Sequence, residues 1–290
     1  MDKQLQFSGL WAVILGGSSG FGFAAVEKLA KHGMNVAVLY RETSVAEKLL
    51  KESFVKIAAS NSTTILPYNI NALDQAGRAL FIKEFAAHAG KHSVKLLLHS
   101  IARGNLKPLT INPKKVARPN AGGDLARKDS DEEGADDVYN ELSIEDIQLT
   151  AYAMSTSLLD WTRLLLNADL FQADGRIIGL TSEGAHKYWE GYAAVSIAKA
   201  SLESLAKYMA VEFSAYGLKT NIIQAGVTET ASLKRIPGSE ELIEMCTKRN
   251  PFGRMTKPND VAGVIYLLCT DESFWINGSI IHVDGGEHCK

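Results

Sequence analysis

Cysteine is scarce in this chain. Three occur in 290 residues, Cys246, Cys269 and Cys289, and their spacing matches neither a zinc site nor a disulfide framework. Isolated thiols of this kind suit a reducing compartment, and no metal centre is expected. Long apolar runs are missing as well. Stretches such as LWAVIL (10–15) fall far short of the ~20 residues that span a bilayer. The first residues lack the charged region, apolar core and cleavage site of a secretory signal in their usual order. The expectation is a cytoplasmic protein with no membrane association. A dominant charge sign is missing too: the net charge is −2, so no broad basic field invites nucleic acid. Internal repeats, low-complexity tracts and dividing linkers are also absent, which leaves one domain over 1–290.

What is present is an alternation. Short apolar runs at 10–15, 35–40, 63–70, 94–100, 175–181, 219–225 and 279–285 read as strands. Several are apolar almost throughout, as parallel strands covered on both faces are. Helical periodicity fills 21–32, 44–53, 72–89, 144–168, 191–216 and 259–269. Strand, helix, strand at this rhythm implies a single-domain α/β fold. It is a Rossmann-like, doubly wound, seven-stranded parallel sheet with helices on both faces.

One segment breaks the rhythm. Residues 103–142 show little periodicity and sort their charge. Arg103, Lys107, Lys114, Lys115 and Arg118 come first, and then Asp129, Asp131, Glu132, Glu133, Asp136, Asp137 and Glu141. It reads as a long charged insertion or flap.

Directly after the first strand comes Gly16-Gly17-Ser18-Ser19-Gly20-Phe21-Gly22, followed by a helix. Glycine permits the tight turn and the close backbone approach that bring helix-start N–H groups to a pyrophosphate. Ser18 and Ser19 add hydroxyl donors. The strand–loop–helix context makes this a dinucleotide site. At the end of the second strand, Tyr40 and Arg41 stand where an acid would hold a ribose 2′-hydroxyl. A guanidinium there suits a 2′-phosphate, which favours NADPH; Glu42, one step on, leaves NADH as the alternative.

Tyr192 and Lys199 lie seven residues apart in a helical segment, almost two turns, and so share a face about 10 Å apart along the axis. A nearby ammonium is expected to stabilise the phenolate and lower the tyrosine pKa. The pair suits proton donation or oxyanion anchoring at a carbonyl.

The glycine loop, the Tyr192–Lys199 motif and the ending PFGRMTKPNDVAGVIYLLCTDESFWINGSIIHVDGG together resemble the short-chain dehydrogenase/reductase (SDR) superfamily. The run His99-Ser100-Ile101-Ala102 and the segment TSEGAHKYWEGYAAVSIAKASLESL are similar to SDR-type enoyl-acyl-carrier-protein reductases of the NADPH-using, glycine-loop variety. Ala225-Gly226-Val227 and Thr230 after the sixth strand fit the same branch. The resemblance implies reduction of the 2,3 double bond of an enoyl thioester in fatty acid biosynthesis. Tyr192 would bind the enolate oxygen and Lys199 the nicotinamide ribose. Either Tyr188 or Ser182 would be the second polar catalytic group. It further implies cofactor contacts at Gly16, Ser18, Ser19, Gly20, Phe21, Gly22, Tyr40, Arg41, Asn69, Ile70, Ser100, Ile101, Ala102, Lys199, Gly226, Val227 and Thr230. Residues 231–250 would form a substrate lid, with Leu233, Ile236, Leu242, Ile243 and Met245 along an acyl chain. The helices at 144–168 and 191–216 would build a homotetramer, and the basic half of 103–142 would guide an acidic acyl carrier protein. This chain departs from the pattern in four places. Ser182 replaces a tyrosine, Leu15 replaces a threonine, TAYAMSTSLLDW has no asparagine, and 103–142 is longer. An NADPH-dependent 3-oxoacyl or carbonyl reductase is the alternative reading, and a non-catalytic nucleotide-binding protein is the second alternative.

Overall fold

The computed structural model describes residues 6–110, 141–230 and 233–290. Seven strands form one all-parallel sheet: β1 (Trp11–Leu15), β2 (Asn35–Tyr40), β3 (Ile65–Asn69), β4 (Val94–His99), β5 (Phe171–Ser182), β6 (Lys219–Ala225) and β7 (Ile280–Val283). Their order is β3-β2-β1-β4-β5-β6-β7. β1 and β4 are buried along their whole length, which is why they read as continuous apolar runs.

The crossovers are helical. They are α1 (Gly20–Ala30), α2 (Ser44–Asn61), α3 (Gln75–Ala89), α4 (Ile144–Ala151), α5 (Ser157–Asn167), α6 (Ala193–Glu212), α7 (Ser239–Arg249) and α8 (Pro258–Cys269). α4 runs into α5 through a π turn at Tyr152–Thr156. On one face of the sheet, Phe81, Phe85, Trp161, Leu165, Leu202 and Met209 from α3, α5 and α6 pack against the strands. On the other, Val26, Leu29, Phe54, Val261, Ile265 and Leu268 from α1, α2 and α8 do so. The chain winds outward in both directions from the β1–β4 pair, so the crevice at the carboxyl ends of these strands is where this topology binds ligands.

A buried ion cluster joins the sheet at the opposite end. Asp174 accepts from Lys95 of β4 at 2.6 Å, from Lys219 of β6 at 2.7 Å, and from Arg176 of β5. Burial works against the Asp174 charge, but hydrogen bonds from the three cations outweigh it and hold the carboxyl below its usual range.

Some boundaries differ from the sequence reading. β5 begins at Phe171, because the Phe171–Val94 pairing precedes a register shift that the apolar pattern does not reveal. α2 continues to Asn61, burying only Phe54, so its second half carries almost no periodic signal. Of the insertion, Lys114, Lys115, Arg118 and the acids from Asp129 to Asp137 lie outside the described residues. Within them, Lys107 pairs with Asp146 at 2.8 Å. Among the described residues, no helix is long and apolar enough to cross a membrane, and no group of three His, Cys, Asp or Glu side chains could hold a metal ion.

Candidate active site

A groove opens at the carboxyl ends of β1 and β4. It is lined by Gly16, Ser18, Ser19, Gly20 and Phe21 of the glycine loop, Tyr40 and Arg41 at the end of β2, Ile70, Ser100, Ile101, Ala102 and Thr230. Gly16 has φ +85°, and a Cβ there would lie 2.7 Å from the Ser100 carbonyl oxygen. The loop is therefore drawn tight against the end of β4, with the Gly16 and Gly17 amides bonded to the Leu39 carbonyl and the start of α1 at the groove. Gly22 acts differently from the expectation. A Cβ on it would strike the Gly16 carbonyl at 2.1 Å, so it packs α1 against the loop. Asn69 is also set back. Its amide bonds the Glu42 backbone, N and O each at 3.0 Å, and the Glu47 carboxylate at 2.9 Å, clamping the turn after β2. Asn71, Arg103 and Arg235 line the groove instead, joining Arg41 to make three guanidinium groups around it. The buried Tyr40 hydroxyl has no hydrogen-bond partner among the described residues. An extended dinucleotide fits this groove. Backbone amides at the start of α1 would serve its pyrophosphate, and the phenol and the arginines would serve the nucleotide end.

The catalytic candidates are set by the end of β5. Three consecutive residues there contact three side chains, two from α6 and one from the residue just before it. The Leu180 carbonyl accepts from Lys199 Nζ at 2.7 Å, Thr181 Oγ1 donates to Glu203 at 2.6 Å, and Ser182 Oγ lies 3.3 Å from the Tyr192 hydroxyl. Tyr192 is the residue immediately before α6, and Lys199 and Glu203 face inward from that helix. Ser182 is thus the polar partner of Tyr192. Tyr188 is 88% exposed and stands at the cavity mouth.

The electrostatics correct one expectation. Burial raises the Tyr192 pKa, opposed only by its Ser182 hydrogen bond, so the phenol is held protonated. Lys199, whose ammonium donates to the Leu180 carbonyl, is not among the groups that shift it. Burial lowers the Lys199 pKa to about 8, with the Glu203 charge working to keep it protonated. His186 pairs with the other Glu203 oxygen at 2.9 Å. His99 is buried beside Lys199, with Nε2 2.8 Å from Ser157 Oγ; desolvation, reinforced by that ammonium, lowers its pKa to about 3. It is a neutral structural histidine. Glu203 escaped the sequence reading, although an acid one turn beyond Lys199 on the same face was available as a signal.

A cavity of about 430 Å³ adjoins the groove and shares Phe21 and Thr230 with it. Ser182, Tyr188, Tyr192, Gly226 and Val227 line it, as do Leu233, Ile236, Leu242 and Met245 from the lid segment. Ile243 is not part of this lining. The segment expected to be a lid is a short turn at Leu233–Arg235 followed by α7, and Trp189 Nε1 donates to the Pro237 carbonyl between them at 2.9 Å. Residues 231 and 232 fall outside the described residues.

Residues 131–288 match the family described as enoyl-(acyl carrier protein) reductase, and residues 10–107 match the short chain dehydrogenase family. The enoyl-acyl-carrier-protein reductase (NADH) of Aquifex aeolicus is 38% identical over 132 residues, an alignment spanning 46% of this chain and 48% of that relative. A tropinone reductase homolog of Arabidopsis thaliana is 27% identical over 99% of this chain and 95% of its own length. The crystal structure of the Aquifex aeolicus enzyme matches with a TM-score of 0.75 at 26% identity, covering 98% of both chains. With its glycine loop against β4 and its tyrosine, lysine and serine gathered at the end of β5, the chain belongs to the short-chain dehydrogenase/reductase superfamily.

Proposed function

We propose that this oxidoreductase reduces the 2,3 double bond of an enoyl thioester with NADPH. The observation that carries the reading is the half-buried, protonated Tyr192 phenol. With Ser182 beside it, it faces a cavity whose lid wall is aliphatic. The family that matches 131–288 bears the enoyl reductase description, which supports the same choice.

The nicotinamide, when bound, supplies the hydride. Hydride addition at Cβ would move negative charge to the thioester oxygen, and a proton delivered to Cα, from the Tyr192 phenol or from solvent, would complete the reduction. Tyr192 and Ser182 are the neutral donors for that oxygen, and their hydrogen bonds strengthen as its charge grows. Lys199 supplies positive charge behind the tyrosine while it is protonated, a form that Glu203 favours against burial. Leu233, Ile236, Leu242 and Met245 exclude water from the acyl chain.

Arg41, Arg103 and Arg235 around the groove favour a 2′-phosphate, hence NADPH, whereas the Aquifex relative is named for NADH. The same reading takes the substrate as a carrier-protein or coenzyme A thioester. The enzyme assembles as a cytoplasmic homotetramer through α4, α5 and α6, on which Leu149, Tyr208 and Val211 are exposed.

Carbonyl reduction is the second reading, favoured by the full-length relatives named as tropinone reductase homologs. NADPH and NADH oxidation with crotonyl- and acetoacetyl-coenzyme A separates the two. Crotonyl turnover that Tyr192→Phe removes supports the enoyl reading. Acetoacetyl turnover alone overturns it.

A further inference from the structure

The segment from Glu183 to Tyr192 carries the chain from the last side chain of β5 to the catalytic phenol. It begins next to Ser182 and is folded against the tyrosine: a Cβ on Gly184 would lie 2.5 Å from Tyr192 Cε1. Two backbone turns shape it. The Glu183 carbonyl accepts from the His186 and Lys187 amides, and the Trp189 carbonyl accepts from the Tyr192 amide at 3.2 Å.

Both ends of α7 are tied to this one segment. Before its first turn, the Pro237 carbonyl accepts from Trp189 Nε1 at 2.9 Å. In its last turn, Arg249 Nη2 pairs with the Glu183 carboxylate. Burial works against the Glu183 charge, but hydrogen bonds from Arg249 and Lys187 outweigh it and hold the carboxyl below its usual range, so this tie is ionic. The Arg249 end is anchored a second time behind. Nη2 also pairs with the buried Glu287 at 2.9 Å, and Asn250 Nδ2 donates to the Asp284 carbonyl at 2.8 Å. Between the ties, Leu242 and Met245 share a face of α7 and line the substrate cavity, as Ser182 and Tyr192 do.

A staple that only fastened α7 to the body of the protein would be complete with Glu287 and Asn250. The two further ties end beside the catalytic donors instead. Glu183 adjoins Ser182, and Trp189 is one hydrogen-bonded turn from Tyr192. The eleven residues of α7 span about 16 Å, and close-packed elements transmit strain rather than absorb it. A chain that fills the space beneath Leu242 and Met245 therefore acts on Ser182 and Tyr192 through the helix ends.

We propose that Glu183 and Trp189 are positioning residues through which acyl-chain contacts on α7 place Ser182 and Tyr192 for catalysis. The proposal rests on the reductase reading of this cavity and adds how the site senses chain length. Binding energy from the unreactive end of the substrate is then expressed in kcat and not in KM alone.

The test compares trans-2-octenoyl- and crotonyl-coenzyme A with NADPH. The parent's kcat is expected to be about tenfold or more higher with the longer chain. Trp189→Phe keeps a ring but loses the donor to Pro237. Glu183→Ala frees Ser182 while Arg249 keeps Glu287. Each is expected to bring the kcat ratio to within about threefold of unity, and Glu183→Gln, which still accepts from Arg249, restores most of it. A parent whose chain-length preference lies only in KM overturns the proposal. So do variants that lower kcat for both chains alike and leave the ratio intact, since that is the behaviour of a structural staple. Amide hydrogen exchange on the parent with octanoyl-coenzyme A and NADP needs neither a variant nor turnover. Protection is expected to rise in α7 and in 183–189 together. Protection confined to α7 overturns the coupling. Joint protection with no reduction of any enoyl chain defeats the enoyl reading and sustains the coupling; no protection and no reduction defeat both.

Discussion

Replacing Glu203 by glutamine should move the alkaline limb of the activity profile. Glu203 and Lys199 are buried one helical turn apart, and the carboxylate is the group that favours the charged form of the lysine against burial. With that charge in place Lys199 titrates at about 8. The four residues between them are about 6 Å of rise. Two unit charges at that separation interact by roughly 3 kcal/mol at an effective dielectric of 20. That is on the order of two pH units, of which the exposed His186 on the far carboxylate oxygen screens a part. The sign is fixed by the chemistry. The working lysine is the protonated one, so activity falls as pH rises through its pKa, and removing the carboxylate brings the fall to lower pH. Glutamine keeps the bond from Thr181, so the strand-to-helix tie survives the change. The assay is kcat against pH, with the parent losing activity above about pH 8 and Glu203→Gln losing it at least one unit lower. A folded variant whose alkaline limb stays with the parent's would refute the assignment of Lys199 as the titrating group.

Other consequences follow from single positions. Gly16→Ala should abolish dinucleotide binding in a fluorescence titration while leaving the far-UV spectrum native, since its Cβ would press on the Ser100 carbonyl oxygen at a positive φ. Ser182→Ala should cost about tenfold or more in kcat, as loss of one donor to a developing oxyanion does. Tyr188→Phe should change kcat less than threefold, because its exposed hydroxyl is not the one beside Tyr192. Asp174→Ala leaves Lys95, Arg176 and Lys219 facing one another without their shared anion. It should lower stability by about 3–5 kcal/mol in a urea titration, the usual cost of breaking a buried pair.

The parts of this fold that were legible in the sequence are those with strong periodic signals. β1, β2 and β4 are apolar at nearly every position and fall within a residue of where they were expected. The glycine loop was legible because only one residue type tolerates its geometry. The Tyr192–Lys199 pair was legible as a spacing, but its electrostatics were not. A spacing fixes distance along the helix and says nothing about which way Lys199 Nζ turns or how dry the phenol is. The charged clusters were the hardest to foresee. Asp174, Arg176, Glu203, Arg249 and Glu287 look like ordinary solvent-facing residues in a linear chain, and what buries each is a partner from another element, tens of residues away.

Glu203 shows why those partnerships matter for the site. The Lys199–Leu180, Glu203–Thr181 and Tyr192–Ser182 contacts arise from consecutive residues of a strand, whose side chains alternate between faces. The strand therefore cannot offer three side chains to one helix. It offers a backbone carbonyl at 180, a side chain at 181 and, because β5 ends there and turns, a side chain at 182. The position of Tyr192 follows from the same constraint. It stands just before α6 rather than within it, where its backbone is free to bring the phenol to the end of the strand. A tyrosine one turn further into the helix would be carried along the strand toward residues whose side chains point away. The seven-residue spacing is thus the distance at which a helix anchored by a lysine to the strand backbone can still present a phenol to that strand's last side chain.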